Sequence, residues 1–278
     1  MVTFPKELKP VFVDNKDLVR LGSIDDGGYV VPIKTIMNSK TLLSFGISDN
    51  WDFEKDFVKK SKINVFAYDH SIDNNFWLSK FKRDLIKFLK FKIFKPKKFY
   101  KMFQYLDFIY FFKHNKLNKF YLKKIGNDSS SINLQTIIND HLIHKENIFL
   151  KIDIENFEYE ILNEIISNKF KIQGIVIEFH EVSSNLDKIK EFIRMLLPNL
   201  NLVHIHANNY SVKKLDSFPE AIELTFSKDI NSNRNNDKEY PIKNLDFPNS
   251  KRSPDIKISF SEWLLKFTCL LFLVKFTY

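Results

Sequence analysis

The sequence predicts an α/β domain built as a doubly wound, mostly parallel sheet between two helical layers. Three observations predict it. Short apolar, β-branched runs alternate with stretches of helical periodicity. Within the runs apolar residues follow one another directly, the pattern of strands buried on both faces. Most runs also close on a polar or acidic residue, at the carboxyl end of a strand, where sheets of this kind bind their ligands.

Taken in order, the first run is 29–33, entered through the turn Asp25-Asp26-Gly27-Gly28. The first core strand is 41–46, followed by a polar loop and a helix over 53–60. A strand over 63–68 ends at Asp69. A short third strand is expected ahead of the loop Gly126-Asn127-Asp128-Ser129, then a helix over 132–141. The run 148–152 ends at Asp153, with a helix over 157–167 behind it, and 175–179 carries Glu178 just before His180. A helix over 186–197 is stopped by Pro198. Runs 202–206 and 222–226 close the series, near enough to be antiparallel neighbours.

The chain has 278 residues, of which 44% are hydrophobic, enough for a packed core. One cysteine, Cys269, excludes an intramolecular disulfide framework and a Cys-based zinc cluster. The polar, proline-broken start does not read as a leader, and the apolar run 263–278, interrupted by Lys266 and Lys275, falls short of the ~20 residues that span a bilayer. A reduced, cytoplasmic protein is expected: one domain over 1–262, a basic insertion over 74–125 and an apolar tail over 263–278. The net charge of +9 is unevenly spread. Residues 74–125 hold 15 Lys and Arg against two acids, Asp84 and Asp107, so the rest of the chain is net acidic.

The loop Ser44-Phe45-Gly46-Ile47-Ser48-Asp49-Asn50 has a single glycine. Neither G-x-G-x-x-G nor a P-loop is present, which disfavours a nicotinamide enzyme and a P-loop NTPase. Asp69 closes the second core strand, where an acid grips ribose hydroxyls in this architecture. It is equally ordinary turn chemistry, but Gly46 followed about 20 residues later by Asp69 points to a nucleoside-bearing ligand. S-adenosylmethionine, with a ribose and adenine but no phosphates, suits the missing phosphate loop.

Several strings resemble the FkbM-type methyltransferases: Leu42-Leu43-Ser44-Phe45-Gly46-Ile47-Ser48-Asp49, Val65-Phe66-Ala67-Tyr68-Asp69-His70 and, above all, Lys151-Ile152-Asp153-Ile154-Glu155-Asn156-Phe157-Glu158. Asp26-Gly27-Gly28-Tyr29 and Leu245-Asp246-Phe247-Pro248-Asn249 resemble flanking signatures, so the likeness runs over about 20–260. Asn156 stands where that family has glycine, and Asn tolerates the left-handed conformation. The resemblance implies a class I methyltransferase with a seven-stranded Rossmann-like sheet, transferring methyl from S-adenosylmethionine to a hydroxyl of a surface-glycan sugar or natural product. It further implies Gly46, Ser48 and Asp49 around the methionine part, Asp69 with His70 at the ribose, and Asp128 at the adenine amino group.

A sugar hydroxyl is a weak nucleophile, so a general base or a metal is expected. His180 is the base candidate because its unperturbed pKa lies near neutrality. Asp153, Glu155 and Glu178 complete the catalytic candidates, and with His180 they alternatively make an oxygen-rich Mg2+ or Ca2+ site. Glu158 and Glu160 read as first-turn helix acids, His204 and His206 as hydrogen-bonded sheet histidines. Ser129-Ser130-Ser131 lacks a nucleophile elbow, which excludes a serine hydrolase.

Residues 74–121 interleave 16 aromatics with the lysines, and 99–112 places aromatics at helical spacing. Such a helical insertion suits an anionic membrane surface, or single-stranded nucleic acid less well, or simply caps the core. The tail 263–278 shares the interfacial character or docks on a second subunit, giving a homodimer. A lipid-linked or phosphorylated glycan intermediate then becomes the expected acceptor, at the inner face of a membrane. The rivals are an RNA methyltransferase and a non-catalytic membrane-surface adaptor on this scaffold. The stretch 231–238 is expected to be a loop without chemistry.

Overall fold

The structure is a computed structural model, and it describes residues 1–90, 103–114, 116–141, 147–210, 218–231 and 234–261. The chain begins with β1 (Val2–Pro5), then β2 (Leu18–Gly22) and β3 (Gly28–Pro32), a short helix α1 (Ile33–Asn38), β4 (Thr41–Phe45), α2 (Asp52–Ser61) and β5 (Asn64–Tyr68). The insertion comes next as α3 (Asn74–Lys90) and α4 (Gln104–Ile109), the latter continued by a π-helical turn, Tyr110–His114. Beyond it lie β6 (Asn118–Tyr121), two short strands β7 (Lys124–Ile125) and β8 (Ser131–Ile132), α5 (Leu134–Asp140), β9 (Ile148–Ile152), α6 (Glu158–Ser167) and β10 (Ile172–His180). The last elements are α7 (Val182–Leu196), β11 (Asn201–Ala207), β12 (Ala221–Ser227) and β13 (Ile258–Ser261).

Seven strands form the central sheet in the order β11-β12-β10-β9-β4-β5-β6. The five from β10 to β6 are parallel; β12 is antiparallel to both β10 and β11. From β4 the chain winds outward to β5 and β6, then returns across β4 to start β9 and wind the other way. The reversal falls between β4 and β9, the crevice where doubly wound sheets receive ligands. Every residue of β9 is buried, and so are eight of the nine in β10, as continuous apolar runs covered on both faces require. One cluster of buried side chains packs α5–α7 on one face; a second, with Trp51, Phe53, Phe57 and Phe108, packs α2 and the insertion on the other.

The helices begin and end where local chemistry provides. The Asn50 side chain accepts from the Asp52 amide at the start of α2 (3.1 Å), and Lys62 closes that helix at φ +55°. Asn133 caps α5 by accepting from Thr136 N at 2.8 Å.

Three expectations are corrected. The run after the Asp25–Gly28 turn pairs antiparallel with β2 in a separate hairpin, outside the central sheet. The third strand, 118–121, lies ahead of the Gly126 loop as expected but inside 74–125, so the insertion is not helical throughout. Within 231–238, read as a loop without chemistry, Asn236 is buried and donates to the Pro10 carbonyl (2.9 Å) and the Tyr240 hydroxyl (3.0 Å), so the chain is anchored at that residue. β1 pairs with β13, which no sequence pattern signalled. The tail 263–278 and the centre of the insertion, 91–102, lie outside the described residues, as does Cys269. No helix among the described residues is long and apolar enough to cross a membrane.

Candidate active site

A cavity of about 440 Å³ opens at the carboxyl ends of β4, β5 and β9. Gly46, Ser48, Asp49, Asp69, His70, Asp153 and Glu155 line it, with Phe53, Tyr68 and Phe157 as apolar wall. Gly46 ends β4 at φ +75°, and a Cβ there would meet the Asp153 carbonyl oxygen at 1.6 Å. Only glycine lets the first and fourth core strands come this close at the switch point. The buried Lys151 ammonium donates to the Gly46 carbonyl and lies 3.9 Å from the Asp153 carboxylate, tying the same two strand ends together.

Asp69 organises this loop. One of its oxygens accepts from the amides of Ile47 (3.0 Å) and Ser48 (2.8 Å), the other from the Ser71 amide (2.7 Å) and hydroxyl (2.6 Å). Four donors occupy its lone pairs, so Asp69 holds the Gly46–Ser48 turn, with Ser48 at φ +46°, as well as lining the cavity. Asp49 is likewise engaged: Lys80 of α3 pairs with its carboxylate and the Gln104 amide donates to its carbonyl. Asp128 falls outside this cavity. Its exposed carboxylate accepts from Lys124 (2.8 Å) and from the Ser130 amide and hydroxyl (2.8 and 2.6 Å), the ordinary chemistry of an Asx turn, so the structure does not place it at an adenine pocket.

A second cavity of about 270 Å³ adjoins the first, sharing Asp26, Asp153 and Glu155 and adding Glu178, His180, Asn208, Tyr210 and Glu220. Its floor is a set of crowded carboxylates. Burial, then the charges of Asp153 and Glu223, push the Glu178 carboxyl well above its usual range. Asp153 is raised too, first by burial, although Lys151 and His180 pull it back. Asn208 donates to Glu178 at 2.8 Å, and the Tyr29 hydroxyl donates to Asp153 at 3.2 Å. Asn249 bridges Asp26 (3.0 Å) and Glu223 (2.7 Å) through its amide nitrogen.

The surroundings of His180 move it away from neutrality. Burial alone would depress its pKa. The hydrogen bond to Glu158 (3.2 Å) and the charges of Glu178, Glu158 and Asp153 outweigh that and bring it up to about 9. At neutral pH it is an imidazolium, held between fully buried Glu158 and exposed Glu155 (3.5 Å), with no lone pair to offer. Glu178 lines the same cavity as His180, its carboxyl raised by burial.

His206 is held from both sides: Nδ1 lies 3.1 Å from Glu223 and Nε2 3.0 Å from Asp255. Burial depresses its pKa, but those two carboxylates raise it well beyond its ordinary value. His204 pairs with buried Asp246 at 3.1 Å. Both are hydrogen-bonded sheet histidines, as the alternation of 202–206 implies.

Two sets of ligand atoms lie within 4.8 Å of one another, Asp153–Glu155–His180 and Asp26–Glu178–Glu223. The first is closed to a cation while His180 is protonated; the second offers oxygens alone, the donor type of a hard divalent ion. Sequence reasoning missed Asp26, which lines both cavities, and its bridge through Asn249 to Glu223, because these residues lie far apart in the chain and meet only in the folded structure. It also read Glu158 as a helix-start acid. Its proximity to His180, which sits 22 residues further along at the next strand's end, is the signal that could have exposed it. Asn156 takes φ +77°, the left-handed conformation expected of the residue in the glycine's place.

No curated protein matches the chain. Among solved structures it is similar to a precorrin-6y C5,15-methyltransferase from Geobacter metallireducens (9% identity, 70% of this chain and 84% of that one, TM-score 0.35). It is also similar to an rRNA methylase from Streptococcus thermophilus (9%, 70% and 90%, TM-score 0.36). A third is the fibrillarin pre-rRNA processing protein of Methanococcus jannaschii (13%, 70% and 68%, TM-score 0.35). Residues 98–212 match the Methyltransferase FkbM domain, a span that takes in β9 and β10 and hence Asp153, Glu155, Glu178 and His180, while Gly46 and Asp69 precede it. The match falls on the strand ends that carry the acidic pocket, and the chain is a methyltransferase with an FkbM-type domain over those residues.

Proposed function

We propose that the protein is an S-adenosylmethionine-dependent O-methyltransferase acting on a hydroxyl of a glycan or glycan precursor, with Glu178 as general base. The observation that carries this is the pair of adjoining cavities at the switch point, which share Asp26, Asp153 and Glu155. The larger suits a nucleoside ligand without phosphates. It has a glycine turn of close backbone approach, apolar walls from Phe53, Tyr68 and Phe157, and no phosphate loop. When bound there, S-adenosylmethionine supplies a methyl group activated on a positively charged sulfur.

The chain's own residues do the rest. The smaller cavity is rich in carboxylates, which accept hydrogen bonds from the several hydroxyls of a sugar and repel an anionic group at the reacting end. Glu178, buried and raised, takes the proton of the attacking hydroxyl as the oxygen–carbon bond forms and the carbon–sulfur bond breaks. Lys151 and His180 offset part of the negative charge at Asp153. Glu158 positions His180 through both its backbone amide (2.7 Å) and its ring.

Calorimetric titration with S-adenosylhomocysteine, with and without Mg2+, tests the reading. Saturable binding independent of Mg2+ is the expected result. Binding only with Mg2+ would move the Asp26–Glu178–Glu223 oxygens from base to ligand set. Absence of binding under both conditions would overturn the enzyme reading in favour of a non-catalytic adaptor.

A further inference from the structure

The insertion has two faces. Inward, Trp77 and Phe108 pack on Trp51 (ring centroids 6.4 and 5.4 Å apart) and Lys80 pairs with Asp49, so this half caps the core. Outward, the same helices expose large apolar side chains. On α3, Leu78 (58% exposed) and Phe81 are followed four residues on by half-buried Leu85, a stripe at helical spacing, with Ile86 beside it. On α4 and its π turn, Leu106 and Tyr110 (74%) are exposed in turn. The exposed charges next to them are cationic: Lys82, Arg83, Lys113 and Lys116. Of the two acids of 74–125, Asp107 pairs with Lys55, which leaves Asp84 alone against these four cations.

We propose that this outer face docks the protein on an anionic phospholipid surface, with Leu78, Phe81, Ile86 and Leu106 in the acyl–headgroup boundary and the Lys and Arg residues against phosphates. Charge complementarity and side-chain type select that occupant. The face mixes aliphatic Leu78, Ile86 and Leu106, which have no π face for a base to stack on, with Phe81, Tyr105 and Tyr110, the amphipathic mixture that suits the acyl–headgroup boundary. The Lys80–Asp49 pair and the Gln104 bond to the Asp49 carbonyl fasten the docking helices to the cofactor loop, so the bilayer would lie beside the larger cavity. The inference stands on the insertion's geometry and does not depend on methyl transfer.

Co-sedimentation of the full chain with vesicles tests it. Binding is expected to vesicles of phosphatidylcholine mixed with phosphatidylglycerol, to weaken with salt, and to be absent from phosphatidylcholine alone. The double variant Leu78→Asp, Phe81→Asp should bind at least about 10-fold more weakly while keeping the wild-type circular dichroism, since both side chains are exposed. Lys82→Glu with Arg83→Glu, both exposed, gives an independent second readout and should weaken binding similarly. Undiminished binding by both variants would overturn the proposal, as would binding that ignores lipid charge. So would displacement of the protein from the vesicles by a single-stranded RNA that both variants still bind at full strength.

Discussion

Glu178 carries the sharpest residue-scale prediction. Replacing it with Gln removes the proton acceptor but keeps the shape and the bond from Asn208. Turnover should fall by about 100-fold or more with S-adenosylhomocysteine affinity unchanged, read by steady-state rates beside calorimetry. Because the base must be ionised, the wild-type rate should rise with pH through a midpoint above the usual carboxylate range. His180 gives a stability prediction of the opposite slope. Its folded pKa, about 9, exceeds its unfolded value near 6.5, so its ion pairs stabilise fully below about 6.5 and that contribution is lost as pH rises through about 9. The melting temperature should decline over that window, and a Glu158→Gln variant should flatten the decline. Asn156, at φ +77°, pays a conformational cost that glycine escapes; Asn156→Gly should raise stability by up to about 1 kcal/mol in denaturant titration.

At the scale of elements, the Gly46 turn and the aromatic seam of the insertion are the two decisive junctions. Gly46→Ala forces a methyl onto the Asp153 carbonyl at a positive φ, so the variant should lose cofactor-analogue binding as the β4 and β9 ends separate. Trp51, 2% exposed, joins α2 to α3 and α4; Trp51→Ala should cost about 3–5 kcal/mol, measured by chemical unfolding. Elements were legible wherever an apolar run met a polar end: β4, β5, β9 and β10 and the helices behind them fall within a few residues of expectation. The hairpin of β2 and β3 was not, because a run buried on all five residues reads as a core strand whichever sheet receives it. The third strand could be given no bounds because β6, with a buried Asn118 and an exposed Lys119, lacks an apolar run. Glu158, Glu223 and Asp26 were illegible as site residues for a simpler reason: each satisfies a local rule as helix start, strand interior or turn, and only the tertiary structure brings their charges together.

Across the whole molecule, the charge is sorted. Cations collect on the insertion and carboxylates at the floor of the second cavity, so net basicity describes one face and says nothing of the pocket. The walls of that pocket also come from widely separated parts of the chain: Asp26 from a hairpin near the start, Glu178 and His180 from β10, Asn208 and Tyr210 from just past β11, and Glu220 from the approach to β12. The pairing of β1 with β13 ties the two extremes together. During synthesis this has an order built into it. The sheet through β10, and with it the Gly46 turn and the Asp69 hydrogen bonds, can form while the ribosome is still making β11, β12 and β13. β1 must wait with an unpaired edge for a partner made more than 250 residues later. His206 likewise waits for the Asp255 that completes its charge balance. A nascent chain therefore acquires its nucleoside cavity first and its acceptor wall last, and a chaperone or protease that samples it in between meets a half-built enzyme with an open flank.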